Sequence, residues 1–393
     1  MITNDKNLLS DLRLRRSKIQ ELLCSNNADA CLIASNVNLY YTTGTIYGGY
    51  LYLPYEGEPH LFIRRPAGIE HPQITYIGKP EQIPLLLKEK GVSFPKKVML
   101  ENDELSYNEI VRLQTVFKGS EFGNATTLLR QARTSKTPWE IEQFRISATR
   151  QAEAYSHIRS CYRPGMTDIE FQYEFERVCR SFGSLGVFRG FGQSMDIFMG
   201  SVLTGDNAAA ASPFDFALGG SGLHPSIPVG ANGSLIKQGT TVMMDIAGNF
   251  TAYISDMTRV FSIGKLPGIA YTAHHVALEM QAHLEQVARP GYPCADIYNE
   301  CYAMAEKAGL TPYFMGTVQQ AKFIGHGIGL QINELPVFTP RSKEVLEENM
   351  VFAFEPKFVL PGTGAVGVEN SFLVTLHGLE KLTLFEEAIM ALD

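Results

Sequence analysis

The sequence predicts a protein of α/β (α+β) class, with a small N-terminal α/β domain followed by a pseudo-symmetric second domain. Three observations lead to this prediction. A chain of 393 residues suggests two or three domains with ample buried cores. A polar segment at 133–138, RTSKTP, precedes a helix predicted from Trp139. Beyond this segment the same arrangement occurs twice, with two helices followed by a pair of apolar strands. We place the domains at 1–132 and 133–393.

The first domain is predicted to alternate helices with short strands. Leu8, Leu12, Ile19, Leu22 and Leu23 mark the inner face of an amphipathic helix over 6–27. Strands are predicted at 30–34, 39–42, 50–53, 59–63 and 97–100, and helices near 81–90 and 106–117. This stretch holds no grouping of metal-ligand residue types and no nucleophile motif. We interpret it as a scaffold and dimerisation domain.

The second domain repeats one helical arrangement. Helices are predicted at 139–161 and 167–182, and again at 267–289 and 293–308, with an Arg-Pro-Gly break inside each pair. The repetition indicates two related halves with a site where they meet. Between them, a segment rich in Gly, Ala and Ser is predicted to line a pocket with apolar side chains. These are Phe188, Phe191, Phe198, Phe214 and Phe216.

The stretch 241–261 predicts a β-hairpin that carries two aspartates. Apolar residues alternate up to Asp245, Gly248 and Asn249 form the turn region, and a return strand carries Asp256. A carboxylate inside an apolar strand is costly unless it has a partner, and two neighbouring carboxylates repel each other. A cation between the two aspartates would satisfy both.

Three further candidate ligands follow downstream. Glu355 ends the apolar segment MVFAFEP, Glu369 lies in AVGVENSFLV, and His326 lies in GHGIG between two glycines. Each of these residues alone is better explained as an edge acid or a loop histidine. Together with Asp245 and Asp256 they predict a shell for two divalent ions. The oxygen-rich set favours Mn²⁺, with Zn²⁺, Co²⁺ or Fe²⁺ as alternatives.

The ordered ligand set and its surroundings resemble the pita-bread metallopeptidases, the group of methionine aminopeptidase, aminopeptidase P, prolidase and creatinase. The matching phrases are DIAG…YISDMTR, HGIGL, FEP and GVEN, together with the helical segments at 133–154 and 163–176. The segment 15–44 resembles the start of the creatinase-type N-terminal domain. The resemblance therefore points to the aminopeptidase P, prolidase and creatinase branch.

This resemblance implies a dinuclear hydrolase with a pita-bread catalytic domain, most simply an Xaa-Pro aminopeptidase or dipeptidase that acts on short peptides. It implies a metal-bound water, with Glu355 as both ligand and proton carrier. It also implies that Thr258 and Arg259 orient the aspartates. A homodimer is expected from the resemblance alone.

The sequence departs from the peptidase pattern at positions that bind and protonate a peptide. Two histidines of that pattern are replaced by Lys322 and Asn333, and a frequent arginine is replaced by Gly367. A third histidine position holds Pro228, although His224 lies four residues earlier and could take the catalytic role or be a surface-loop residue. Two alternatives therefore stay open: a creatinase-like C–N hydrolase or lyase that acts on a small non-peptide substrate, and a non-catalytic binding protein.

Composition excludes several function classes. A net charge of −7 argues against broad nucleic-acid binding. No apolar run reaches the length of a membrane span, and the polar start of the chain does not resemble a signal peptide. The six cysteines show no Cys-x-x-Cys pairing. We expect a cytoplasmic protein with reduced thiols, without nucleic-acid or membrane partners.

Overall fold

The fold is described on a computed structural model for residues 5–192, 199–214 and 216–392. Phe198, one of the residues predicted to line the pocket, lies outside these ranges. The chain forms two compact units. The first contains the described residues up to Arg133 together with Thr137–Trp139, and the second contains Thr134–Lys136 and the residues from Glu140 onward. In the described ranges, no helix has the length and apolar character needed to cross a membrane.

The first unit contains one mixed sheet of six strands. The strands are β1 (Ala30–Ile33), β2 (Gly48–Pro54), β3 (His60–Arg65), β4 (Ile74–Tyr76), β5 (Lys97–Leu100) and β6 (Glu121–Asn124). Their order in the sheet is β4-β3-β2-β1-β5-β6, and the central strand β1 is antiparallel to β2 and parallel to β5. The helices are α1 (Lys6–Ser25), α2 (Asn36–Thr43), α3 (Ile83–Glu89), α4 (Tyr107–Val116) and α5 (Ala125–Thr134).

Helix α1 forms as its sequence predicts. The side chain of Asp5 accepts hydrogen bonds from the backbone amides of Asn7 and Leu8 at the helix start, which is a typical N-cap. Leu12, Ile19 and Leu23 are fully buried, and their spacing of seven and four residues places them on one face. The helix therefore packs its apolar face into the interior of the first unit.

The predicted strand at 39–42 is wrong, because these residues belong to helix α2. The side chain of Ser35 accepts a hydrogen bond from the Asn38 amide and caps the helix start. The hydroxyl of Thr42 donates to the Asn38 carbonyl one turn earlier. Gly44 ends the helix with φ of +75°, a left-handed conformation that suits glycine. The tyrosines and threonines here favour strands by propensity, and the caps override that preference.

The second unit contains five helices and the remaining strands of the described residues. The helices are α6 (Pro138–Tyr155), α7 (Ile158–Cys161), α8 (Asp168–Ser181), α9 (Gly268–Val287) and α10 (Cys294–Lys307). The strands are β7 (Gly200–Thr204), β8 (Thr241–Gly248), β9 (Ser255–Ser262), β10 (Gly325–Gly327), β11 (Glu334–Val337), β12 (Val351–Phe354), β13 (Lys357–Leu360), β14 (Gly364–Gly367), β15 (Asn370–Thr375), β16 (Gly378–Lys381) and β17 (Met390–Ala391).

The strands of the second unit form a four-stranded sheet, a five-stranded sheet and a small hairpin. The four-stranded sheet has the order β17-β9-β8-β7, and the five-stranded sheet has the order β11-β10-β12-β15-β16. Strands β13 and β14 pair with each other. One apolar core joins α6 and α8 to the four-stranded sheet. A second core joins α9 and α10 to β12, β13 and β15. Each pair of helices thus packs on its own strands, as the repeated pattern predicted.

The predicted hairpin at 241–261 is confirmed, and its register decides which way the two aspartates face. Asp245 lies opposite Thr258, and Asp256 lies opposite Ala247. The aspartates are therefore diagonal neighbours on one face rather than a direct pair. Met243 and Val260 share this face and pack into the core of α9 and α10. Side-chain alternation thus directs both carboxylates towards the second half of the unit.

The hydroxyl of Tyr155 ties α6 to this hairpin. It lies 2.9 Å from the Met257 carbonyl and 3.3 Å from the Met244 carbonyl, and the side chain is fully buried. These two carbonyls directly adjoin the residues on either strand that carry the site. The tyrosine ring also packs edge-on against Phe175 of α8, with ring centroids 5.0 Å apart. One side chain therefore joins two helices and two strands.

Replacing Tyr155 with phenylalanine tests this connection. We expect Tyr155→Phe to lower the free energy of unfolding by about 1–2 kcal/mol, because buried carbonyls lose a donor while the ring packing is kept. Tyr173→Phe is the matched control, since Tyr173 lies in α8 with 57% of its surface exposed. Urea denaturation followed by circular dichroism measures both, and equal stabilities of the two variants would contradict the prediction.

Candidate metal centre

Five predicted ligands come together at the ends of neighbouring strands. Strands β8 and β9 carry Asp245 and Asp256, and β10 carries His326. Glu355 directly follows β12, and Glu369 directly precedes β15. Since Phe354 of β12 pairs with Asn370 of β15, the two glutamates leave the sheet side by side. Between the two glutamates the chain forms a separate hairpin of β13 and β14.

The five side chains form two overlapping groups. Asp256, His326 and Glu369 each offer a ligand atom within 4.8 Å of the others, and we call this group the His326 cluster. Asp245, Glu355 and Glu369 meet the same criterion, and we call this group the Lys357 cluster, after a residue introduced below. Glu369 belongs to both groups. The arrangement has the form of two adjoining cation sites with one shared carboxylate.

Hydrogen bonds between β9 and β15 hold the two sheets in register at the site. The hydroxyl of Ser371 lies 2.8 Å from the Asp256 amide and 2.9 Å from the Asp256 carbonyl. The hydroxyl of Thr258 donates to Glu369 Oε2 at 2.6 Å. These contacts fix the backbone of Asp256 and the carboxylate of Glu369. Thr258 was expected to orient the aspartates, whereas the carboxylate that its hydroxyl contacts is that of Glu369.

Arg259 also joins β9 to the start of β15. It is fully buried, and its Nη1 lies 2.8 Å from both the Thr258 and Glu369 carbonyls. Its Nη2 lies 2.9 Å from Asn370 Oδ1. Burial lowers the pKa of Arg259 to about 10, which leaves it charged at neutral pH. The guanidinium thus fixes the backbone at Glu369 and does not contact the predicted ligand carboxylates.

One cation in the site, the ammonium of Lys357, was not predicted from the sequence. Lys357, the first residue of β13, is fully buried. Its Nζ lies 2.8 Å from Asp245 Oδ2, 2.6 Å from Glu355 Oε2 and 3.2 Å from Glu369 Oε2. These are the three acids of the Lys357 cluster. A signal was present in the sequence, because a residue two positions after Glu355 in an extended segment projects to the same side.

The pKa values in the site reflect the position of one ammonium, that of Lys357, among four carboxylates. Burial would lower the pKa of Lys357, but Asp245, Glu355 and Glu369 raise it well above its ordinary value. Burial would raise the pKa of Glu355, but Lys357 and His326 outweigh it and lower that pKa to about 2. Burial and nearby acids raise the pKa of Glu369 to about 8 and that of Asp256 well above its ordinary value. The negative charge is thus only partly compensated.

The His326 cluster fits a divalent metal ion. Its donors are one imidazole and two carboxylates, with His326 Nε2 lying 4.0 Å from Asp256 Oδ2 and 3.5 Å from Glu355 Oε1. In the described residues, Glu369 Oε1 is buried without a hydrogen-bond partner. An orphaned carboxylate oxygen of this kind is costly unless a cation contacts it. The Lys357 cluster differs, because all three of its acids already bond an ammonium.

The structure places His224 in a surface turn. The side chain is exposed, and its Nδ1 lies 2.7 Å from the Ser226 hydroxyl and 3.1 Å from the Ser226 amide. These contacts are local to the turn. Lys322 lines a cavity of about 250 Å³ whose other walls include Phe214, Phe216 and the stretch 208–211. Two of the predicted phenylalanines line this cavity, whose described lining includes none of the five predicted metal ligands.

Asn333 and Glu334 hold the segment that follows β10 in place. The Asn333 side chain bonds the Phe191 backbone twice, accepting at 2.6 Å and donating at 2.8 Å. Glu334 forms a buried ion pair with Lys136 at 2.9 Å. Its carboxylate also accepts from the amides of Leu330 and Gln331. Both side chains are thus committed to backbone and structural contacts.

A double-mutant cycle tests the buried ion pair. We expect Glu334→Gln and Lys136→Met each to lower the free energy of unfolding by about 3–5 kcal/mol, because each leaves a buried charge without its partner. The double variant should lose clearly less than the sum of the two, because neither charge remains. Urea denaturation of the four proteins gives the coupling energy, and additive losses would contradict the prediction.

Comparison with known proteins agrees with this geometry. Residues 142–376 match the model of metallopeptidase family M24, and residues 15–135 match the creatinase/prolidase N-terminal domain. The chain belongs to metallopeptidase family M24. Membership in M24 places it among the metallohydrolases, as the sequence predicted. The resemblance to pita-bread enzymes with a creatinase-type N-terminal domain is confirmed.

The similar proteins align with almost the whole length of this chain. An uncharacterized peptidase of Staphylococcus aureus (strain USA300) is 26% identical, over 94% of this chain and 99% of the relative. The Xaa-Pro dipeptidase from Bacillus anthracis has a TM-score of 0.80 and 23% identity, over 97% of this chain and 99% of its own. The prolidase from Pyrococcus horikoshii OT3 has a TM-score of 0.76 and 22% identity, over 95% and 99%. The solved structures confirm the predicted fold class.

Proposed function

We propose that this chain is a metal-dependent hydrolase of short peptides, with Xaa-Pro aminopeptidase or dipeptidase activity. The observation that carries the proposal is the His326 cluster, in which one imidazole and two carboxylates meet beside a third, ionised acid, Glu355. The substrate class is supported by the names of structural neighbours, which include an Xaa-Pro dipeptidase, a prolidase and an X-Pro aminopeptidase from Thermotoga maritima.

The metal would be held by Asp256, His326 and Glu369. Mn²⁺ is the preferred ion because the site is rich in carboxylate oxygens, and Zn²⁺, Co²⁺ and Fe²⁺ are alternatives. A bound divalent ion would supply a water of lowered pKa and would polarise the scissile carbonyl. The sequence predicted two such ions, with Asp245 and Glu355 completing the second site. The structure adds Lys357 to that second site.

The chain's own side chains would position these groups. Thr258 holds one oxygen of Glu369, and Arg259 fixes the backbone beside it. Glu355 lies between His326 and Lys357 as a carboxylate and can accept a proton there. Lys322, at the wall of the cavity, offers a positive charge to the carboxylate of a peptide. A catalytic role for His224 requires its exposed turn to move.

A second candidate function is C–N bond hydrolysis or elimination in a small non-peptide substrate, as in creatinase-like chemistry. Asn333 favours this candidate, because its side chain bonds the Phe191 backbone where the peptidase pattern has a histidine. Gly367 supports it as well, since it offers no side chain where the pattern often has arginine. A metal-free binding protein is a weaker candidate, because all five predicted ligands are present and assembled.

We also propose a cytoplasmic homodimer, by analogy with the group that the sequence resembles. The free cysteines support a reducing compartment, since Cys24 is exposed and the other five are buried without disulfides. The net charge of −7 supports substrates other than nucleic acids.

Metal removal tests the proposed activity directly. We expect the protein dialysed against a chelator to lose turnover of Xaa-Pro dipeptides by about 100-fold or more, and Mn²⁺ to restore it, because the ion activates the attacking water. Asp256→Asn should bind Mn²⁺ weakly and remain inactive after the ion is added back. The exposed Asp296→Asn is the matched control and should behave like the unmodified protein.

Two results would contradict this assignment. Turnover that survives complete metal removal would exclude a metal-dependent hydrolase. Bound metal without turnover of any Xaa-Pro dipeptide would exclude the peptidase and favour the second candidate. A panel of small amidines and sulfonium compounds, assayed on the same metal-loaded protein, would then test C–N hydrolysis and elimination.

Thr258 provides a test of the metal site that does not depend on substrate. We expect Thr258→Val to weaken Mn²⁺ binding by about 10–100-fold, because Glu369 loses the hydroxyl that orients it. Thr258→Ser keeps a hydroxyl on the same carbon and should bind Mn²⁺ nearly as well as the unmodified protein. Isothermal titration with Mn²⁺ measures both affinities. Equal weakening by the two variants would show that the hydroxyl does not act through Glu369.

A further inference from the structure

The Lys357 ammonium lies where a cation of the centre is expected. Its three carboxylate contacts, at 2.6–3.2 Å, come from the three acids of the Lys357 cluster. An ammonium has three hydrogens to donate, so each hydrogen has a carboxylate partner. A divalent ion held by the same three acids would share their charge with the ammonium and would lie within a few ångströms of a second positive charge. The two cations therefore repel each other and compete for the same three acids.

We propose that Lys357 takes the place of one of the two metal ions, so that this chain binds a single divalent ion, at the His326 cluster. The proposal deepens the proposed function and rests on the metal dependence stated there. The two clusters differ in the way that it requires. In the Lys357 cluster the acids are paired with the ammonium, whereas in the His326 cluster Glu369 Oε1 lacks a hydrogen-bond partner among the described residues.

The backbone around Lys357 is built to hold it in this position. Its carbonyl accepts from the Met315 amide at 2.8 Å, and it pairs with Gly367 across the β13–β14 hairpin. Gly367 has φ of +142°, a conformation that favours glycine. A Cβ added at Gly367 would clash with the Pro356 carbonyl oxygen and would lie 3.2 Å from Lys357 Cγ. Glycine at 367 therefore permits the close pairing of the two strands at Lys357.

Lys357 cannot perform the chemistry of the ion that it replaces. A metal accepts an electron pair from water or from a carbonyl oxygen. The ammonium accepts none, and its hydrogens are already engaged by the three carboxylates. Its contribution is to hold Asp245, Glu355 and Glu369 together without a second ion. Activation of water and polarisation of the substrate then both fall to one metal.

Metal stoichiometry tests the proposal. The full-length protein is stripped with chelator, dialysed to equilibrium with Mn²⁺ alone, and its bound metal is counted by mass spectrometry. We expect about one tightly bound ion per chain in the unmodified protein and about two in Lys357→Gly, which removes the ammonium and opens the second site. Lys237→Gly is the matched control, since Lys237 is exposed, and should bind about one ion.

Electron paramagnetic resonance of the Mn²⁺-loaded unmodified protein gives a second readout that does not depend on the folding of a variant. We expect the signal of magnetically isolated Mn²⁺. A coupled two-ion signal, two ions per unmodified chain, or one ion in Lys357→Gly that folds normally would each overturn the proposal. No bound ion would overturn both this proposal and the metal dependence. One ion without Xaa-Pro turnover would uphold this proposal while contradicting the proposed peptidase.

Discussion

The grouping of four carboxylates, three of them buried, in one small volume is the constraint on which the rest of the second unit depends. Transferring an ionised acid from water to a protein interior costs several kcal/mol unless cations and hydrogen bonds compensate it. Lys357 compensates three of these acids directly, Thr258 donates to Glu369, and His326 approaches Glu355. Burial and the neighbouring acids still raise the pKa of Glu369 to about 8, so this acid favours a proton or a further cation beside it. A divalent ion at the His326 cluster would supply that charge.

The architecture explains how such a costly grouping is kept in place. The four acids lie in or next to two strand pairs, β8–β9 and β12–β15, and the two sheets are joined at that point by Ser371 and Arg259. Apolar cores lie on both sides of the β8–β9 hairpin, one shared with α6 and α8 and the other with α9 and α10. Packing on both faces holds the two strands that carry Asp245 and Asp256 in place. The backbone therefore keeps the repelling carboxylates close together.

Sequence periodicity was sufficient to find the residues that lie in regular strands. Asp245 and Asp256 could be assigned to one face because apolar residues alternate around them. The same method missed Lys357, because Glu355 and Pro356 interrupt the strand and hide the alternation that continues through them. It also misassigned 39–42, where the cap at Ser35 and the end at Gly44 decide the structure over three or four residues. Contacts such as that of Asn333 with Phe191 join distant segments, and one sequence contains no pattern for them.

Lys357 and Gly367 pair with each other across the β13–β14 hairpin and share one local environment. In the peptidase pattern, position 367 often carries an arginine, which would extend from the strand that pairs with Lys357. A Cβ at position 367 would clash with the Pro356 carbonyl oxygen, so the backbone itself favours glycine there. A positive charge is therefore absent from position 367 and present inside the carboxylate cluster, next to Asp245 and Glu355. Under the proposal that Lys357 replaces one metal ion, metal number and substrate recognition would both be set by neighbouring residues of one hairpin.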